Sequence, residues 1–208
     1  MKILALEFSS NRRSVAIAND KDVLARVETD DVKKAPLALI DEALKKAKLN
    51  LAAIETIALG TGPGSYTDIR GAIATAQGWQ LARNVNLLPV PSAEILAATA
   101  RANGQRGETH FLIDAQRHEY YHTTWNLTEE TQTKTTPLHI IGVVAACEFD
   151  AFGPDAAGFP YCEPLFPNGA ILAQLAADRT DFQPGESIEP IYLRPTEFTK
   201  APPPRQLD

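Results

Sequence analysis

At 208 residues, of which 44% are hydrophobic and 22% charged, the chain is long enough to bury a core without staples and has the composition of a globular protein. A net charge of −6 excludes a protein that grips nucleic acid unaided over a broad basic face, because phosphate contacts need clustered Lys and Arg; any RNA would be held mostly by a partner. The only cysteines, Cys147 and Cys162, form no CxxC pair, which excludes a disulfide framework and a cysteine-rich zinc site. No apolar run approaches the roughly 18 residues of a membrane helix, and the run Ile3 to Leu6 stops at Glu7, too short for a signal-peptide core. A soluble protein of the reducing cytoplasm, with no membrane contact, is expected.

Ile3 to Phe8 reads as a buried strand, Val15 to Ala18 as its hairpin partner, and Val23 to Glu28, after the turn Asn19-Asp-Lys-Asp, as a third strand. From Lys33 to Lys48 the pattern becomes helical: Leu37, Ile40, Leu44 and Ala47 recur at helical spacing with Lys and acidic residues on the other faces, and Pro36 belongs in the first turn. Ile54 to Leu59 is a short apolar strand. It ends in Gly60, Gly62 and Gly64, which permit positive φ and close approach around a stiff Pro63. Ser65 or Thr67 can cap the helix that follows, with Asp68 where the helix dipole favours negative charge. That helix runs to Arg83. A strand Leu87 to Val90 and a helix from Ser92 to Ala102 complete a β-β-β-α-β-α-β-α order, a meander followed by right-handed crossovers, hence a mixed sheet covered by helices.

The polar break Asn103 to Glu108 divides the chain into a first lobe, 1–103, and a second, 104–208. Phe111 to Asp114 and Tyr120 to Trp125 read as strands joined by a turn at Gln116-Arg117. Six prolines between Pro137 and Pro184 then interrupt several short strands of unassigned order, with one helix from Asn168 to Ala177. The tail from Thr199 through Ala201-Pro-Pro-Pro reads as ending in extended residues.

The glycine turn aims backbone N–H groups at one spot, so Gly62, Gly64, Ser65 and Thr67 are candidates for an anion-binding turn, beside the plainer reading of a structural strand-to-helix junction. A Walker loop would need Lys-Ser or Lys-Thr after its last glycine, whereas Ser65-Tyr66 stands here. The dinucleotide fingerprint lacks its third glycine at Thr67.

Taken together, Ile3-Leu-Ala-Leu-Glu-Phe-Ser-Ser, the run GTGPGSYTDIRGAIATAQGWQLA from Gly60, Val90-Pro-Ser, Leu112-Ile-Asp-Ala-Gln-Arg and Pro190-Ile-Tyr-Leu-Arg resemble the TsaB family, also called YeaZ. The resemblance is densest over the first hundred residues. It implies a two-lobed α/β fold of the actin-like, ribonuclease H-like kind shared by actin, sugar kinases and Hsp70. It also implies a scaffold with no catalytic residue, metal or cofactor of its own, which pairs with a TsaD-like enzyme through first-lobe helices. With a TsaE-like ATPase, that enzyme makes threonylcarbamoyladenosine at position 37 of tRNAs reading ANN codons, ATP and metal being used by the partner complex. A homodimer is a further possibility.

Gly71, Thr75, Gly78 and Ala82 recur at i, i+4, i+7 and i+11, a stripe of small residues that lets another helix approach, or alternatively packs on the chain's own sheet. Ile69, Ile73 and Trp79 are expected to add apolar area beside it. Two positions depart from the family pattern: Glu7-Phe8-Ser9 stands where members often read Asp-Thr-Ser, removing a hydroxyl, and Val32-Lys33 where many carry His-Ser.

His118-Glu-Tyr-Tyr-His122 spells the HExxH of zinc proteases, which works only on a helix. Two tyrosines inside it and Thr123-Thr124-Trp125 after it favour a strand. His110 and His139 read as ordinary surface or loop residues, and Asp114 as the start of a turn. Three functions thus stand: a partner subunit in tRNA modification, a stand-alone nucleotide phosphotransferase of the same fold and, most remote, a metallopeptidase.

Overall fold

The computed structural model describes residues 1–31, 33–154 and 159–193, so Val32 and the proline-rich tail lie outside the described residues. Two five-stranded sheets organise it. The first contains β1 (Lys2–Glu7), β2 (Arg13–Asn19), β3 (Asp22–Thr29), β4 (Thr56–Gly60) and β5 (Asn86–Val90), in the order β3-β2-β1-β4-β5. β1, β2 and β3 form the antiparallel meander, and β4 and β5 add parallel to β1. Pro89 is tolerated because β5 is an edge strand of this sheet.

Alternation along β1 builds two cores. Leu4, Leu6 and Phe8 face one way, into a cluster with α1 (Pro36–Ala47) and α2 (Tyr66–Arg83). Ile3 and Ala5 face the other way, into a cluster with α3 (Ser92–Ala102). The first helix begins at Pro36 and not at Lys33, with Ala35 extended before it, because proline suits the first helical position, where no N–H is needed.

The second sheet has the order β10-β9-β6-β7-β8, from β6 (Gly107–Asp114), β7 (Glu119–Leu127), β8 (Gln132–Gly142), β9 (Ala151–Gly153) and β10 (Cys162–Pro164). Its inner face, Phe111, Ile113, Tyr121, Trp125 and Leu127, packs on Ala93, Leu96, Ala97 and Ala100 of α3. That helix is therefore the shared wall between lobes. A short helix, α4 (Val143–Ala146), links β8 to β9.

The division into 1–103 and 104–208 needs correction. The fifth helix, α5 (Gly169–Ala177), capped by the Asn168 side chain, packs on β1 and β2, and its Leu172, Ala173 and Ala176 complete the back core of the first sheet. The chain then runs along the first lobe. Gln183 N–H donates to Leu87 O at 2.9 Å. Gln77 and Gln80 of α2 hold Gly185 through its carbonyl and its N–H, both at 2.7 Å. Ile188 enters the front core, the cluster of Leu4, Leu6 and Phe8 with α1 and α2. The physical reason is that the Ile3, Ala5, Ala16 and Ala18 face needs an apolar cover that the segment before residue 104 supplies only in part, through α3.

Candidate functional site

The site begins where β4 hands over to α2. The turn between them is tied on every side: Thr61 N–H donates to Val90 O at 3.0 Å, Ser65 N–H to Ser9 O at 2.7 Å, and Ile191 N–H to Thr61 O at 2.9 Å. Gly62 N–H donates to Ser92 Oγ at 3.0 Å. Gly64 has φ +146°, and a Cβ there would fall 2.0 Å from the Ser9 carbonyl oxygen, so glycine is required for the turn to lie against the end of β1.

Two of the expected anion-binding donors, the N–H groups of Gly62 and Ser65, are thus spent on the protein itself. The Ser65 hydroxyl donates to Asp68 at 2.8 Å, Arg13 of β2 bonds the same carboxylate, and Thr67 is exposed on the first helical turn. The negative charge that a helix N-terminus attracts is supplied by Asp68.

Beneath the turn, Glu7 is fully buried. Its carboxyl accepts from Ser9 N–H at 2.8 Å and from the Ser92 hydroxyl at 3.1 Å, and a Cβ at Gly60 would fall 1.8 Å from Oε2. Desolvation pushes the Glu7 pKa up, against smaller lowering by those hydrogen bonds. Phe8, the departure next to it, lies in the front core. The glutamate fills the space where the turn meets α3, a role for which the sequence carried no signal beyond a charged residue ending an apolar strand.

A cleft of about 560 Å³ opens between the lobes in front of the turn, lined by Ser9, Asn11, Ser65, Tyr66, Asp68 and Asp114 among others, with Tyr121 and Tyr192 on its walls. Its described lining includes two aspartates and no Lys or Arg. Asp114 accepts from Gln116 N–H at 2.7 Å and so starts the expected turn.

The outer face of α2 is bare. A Cβ added at Gly71 or Gly78 would meet nothing within 4 Å, Ala82 is exposed, and Thr75 is half-buried with its hydroxyl bonded back to Gly71 O at 2.7 Å. The stripe of small residues therefore faces away from the chain's own sheet. Ile69 and Ile73 do not sit beside it: they are 0% and 5% exposed and belong to the front core with Ala72 and Ala76. Their place as flanking interface residues is corrected, since i, i+3, i+4 and i+7 from Ile69 trace the row that packs on the sheet. Trp79 is partly buried at the rim of that core. What flanks the stripe outside is Ala74, exposed, and Leu81, 91% exposed. Leu81 was readable in sequence as three residues after Gly78, but in a helix of Ala and Gly on nearly every side the direction of burial is ambiguous.

Glu119 to His122 of the HEYYH segment lie in β7 as expected, whereas His118 falls outside the strand, in the turn before it at φ +61°. The helical spacing that would bring both imidazoles to one ion is missing. Among the described residues no group of three or more His, Cys, Asp or Glu is placed to hold a metal ion, and no helix is long and apolar enough to cross a membrane. His110 and His139, expected to be ordinary surface or loop residues, lie instead on β6 and β8 and meet His122 across the second sheet.

Fold and site together define a class: a two-lobed α/β protein in which a glycine turn locks a helix of small residues with one face left exposed. Residues 30–183 match the family model for TsaD, tRNA N6-adenosine threonylcarbamoyltransferase. Among curated proteins the chain is 30% identical over 123 residues to the tRNA threonylcarbamoyladenosine biosynthesis protein TsaB of Escherichia coli, covering 58% of this chain and 53% of that one. It is 29% identical over 123 residues to TsaB of Haemophilus influenzae, covering 58% and 52%. The match thus spans about half the length of these curated relatives. The solved structure of YeaZ from Pseudomonas aeruginosa superposes with a TM-score of 0.78 at 25% identity, over 92% of this chain and 99% of that one. The chain belongs to the TsaB/YeaZ family.

Proposed function

We propose that this protein is a non-catalytic subunit that supports a TsaD-like enzyme in forming N6-threonylcarbamoyladenosine at position 37 of tRNAs reading ANN codons, and that it docks through the outer face of α2. The observation that carries the reading is the open face itself: Gly71 and Gly78 have clear space above them, and Leu81 is left 91% exposed beside them. A partner helix can approach such a face closely and gains about 1.5–3 kcal/mol for each large side chain it covers, before ordering costs. The names carried by the relatives support the pathway.

On this reading a TsaE-like ATPase joins the assembly, ATP and metal act in the partner complex, tRNA reaches this chain only through the complex, and a homodimer is an alternative assembly. The stand-alone phosphotransferase is supported less well. The turn that would cradle a phosphate has Asp68 in front of it, and Arg13 is already committed to that carboxylate.

The test is a reconstituted reaction with TsaD-like and TsaE-like proteins, the threonylcarbamoyl donor, ATP and tRNA. Modified nucleoside should form only when this chain is added. Undiminished formation without it would refute the reading, and turnover of ATP onto a small acceptor by this chain alone would favour the phosphotransferase.

A further inference from the structure

Three imidazoles from three strands meet on the outer face of the second sheet. The β-ladders place His110 opposite Thr124 and His122 opposite His139. His110 Nδ1 lies 3.0 Å from His122 Nε2, His122 Nδ1 lies 3.4 Å from His139 Nε2, and His139 Nδ1 lies 2.9 Å from the carbonyl oxygen of Pro137.

A carbonyl only accepts, and that single fact orders the row. His139 carries its proton on Nδ1 and accepts on Nε2. His122 then donates from Nδ1 and accepts on Nε2, so His110 donates from Nδ1. The lone pairs of His122 and His139 are spent inside the row, which is a one-way chain and not a chelate. At its open end His110 Nε2 faces Glu108 Oε1 at 3.9 Å. A proton added to His122 at Nε2 would confront the N–H that His110 donates in this row, donor against donor.

Phe149 closes the row from above, its ring 4.3 Å from that of His110 and 4.7 Å from that of His122, each roughly parallel. Phe149 belongs to the link that runs from α4 to β9, and Ala146, the last residue of α4, is buried with Leu112, Ala151 and Phe159. The titratable groups around the row are Glu108 on β6, the histidines themselves on β6, β7 and β8, and the exposed Glu148 and Asp150 on either side of Phe149. The α4 residues are apolar.

We propose that His110, His122 and His139 form a proton-operated latch on the segment from Val143 to Asp150, shut while His122 is neutral and opened when a proton reaches it. His122 is only 7% exposed, and burial, with lesser repulsion from His139 and His110, holds its pKa down to about 4 from an ordinary 6.5. The open segment binds a proton that the shut one refuses, so the latch is at full strength above 6.5 and weakens as pH falls toward 4. Between pH 7 and pH 5 the opening equilibrium rises on the order of twentyfold.

Two measurements test this on the intact chain. Long-range proton–nitrogen NMR at pH 7.5 should find the proton on Nδ1 of His122 and His139. Amide hydrogen exchange, corrected for intrinsic rates, should lose protection on the order of twentyfold across residues 143–152 between pH 7 and pH 5, with the first sheet unaffected. His122→Gln, which keeps a donor and an acceptor but cannot titrate, should hold its protection over that range. Should that variant fail to fold, Phe149→Ala must raise exchange in the same segment already at pH 7. An Nε2–H tautomer at His122 or His139, or wild-type protection that ignores pH, overturns the proposal.

Discussion

Replacing Gly78 by alanine adds one methyl group to the middle of α2, at a position where a Cβ meets nothing within 4 Å. In the isolated chain the substitution removes a glycine from a helix interior and should stabilise by about 0.5–1 kcal/mol. For a chain of this size that is a rise in Tm of roughly 1–4 °C. In the proposed complex the same methyl group would stand where a partner helix comes close, and overpacking of about 1–3 kcal/mol would weaken the Kd by about 5- to 150-fold. The two effects are opposite in sign and separately readable, by thermal melting of the variant alone and by calorimetric titration with a TsaD-like partner. A lowered Tm would refute the outward orientation of the stripe. A raised Tm with unchanged affinity would leave the orientation intact and refute the contact.

The same change at Gly64 should act in the reverse direction, because φ of +146° and a Cβ 2.0 Å from the Ser9 carbonyl combine backbone strain with overlap, costing about 2–5 kcal/mol in urea unfolding; a loss under about 0.5 kcal/mol would show that the turn does not grip β1. Glu7→Gln should alter the pH dependence of stability: since the folded carboxyl titrates above its ordinary 4.5, the folded state keeps a proton that the unfolded state has lost, and wild-type stability falls as pH rises from about 4.5 toward the raised value. The variant should lack that component, and a wild-type-minus-variant difference that is flat in pH would refute the account of Glu7. Ile73→Ala should cost about 2–5 kcal/mol as a core truncation, whereas an interface residue would leave the melting of the free chain unchanged.

The first lobe was legible because its signals are local. Apolar runs of strand length, the Gly60 to Gly64 turn and Pro36 each set a boundary that neighbouring residues enforce. The front and back of α2 were not, because Ala72, Ala74, Ala76, Gly71 and Gly78 give both faces similar polarity; only packing on the sheet distinguishes the Ile69 and Ile73 row from the Leu81 side. The return of α5 to the first sheet is a pairing between residues some 155 positions apart, as in the bond from Gly169 N–H to Ser14 Oγ, and helical periodicity carries no address. β8 carries little strand signal in the sequence, because Pro137 and a Thr- and His-rich run disguise an edge strand. The same blind spot hid the imidazole row, which exists only once the register sets His139 opposite His122.

If α2 meets a partner through the outward stripe, a Thr75→Arg variant should fail to support formation of modified nucleoside in the reconstituted reaction. Thr75 is half-buried on the open side of the helix, between Gly71 and Gly78, so the free variant should melt within about 1 °C of wild type, as expected of a surface change. With partner, ATP, tRNA and the threonylcarbamoyl donor present, it should form almost no threonylcarbamoyladenosine, and raising its concentration should restore part of the yield. A variant that melts like wild type and still supports full modification at equal concentration would contradict the account.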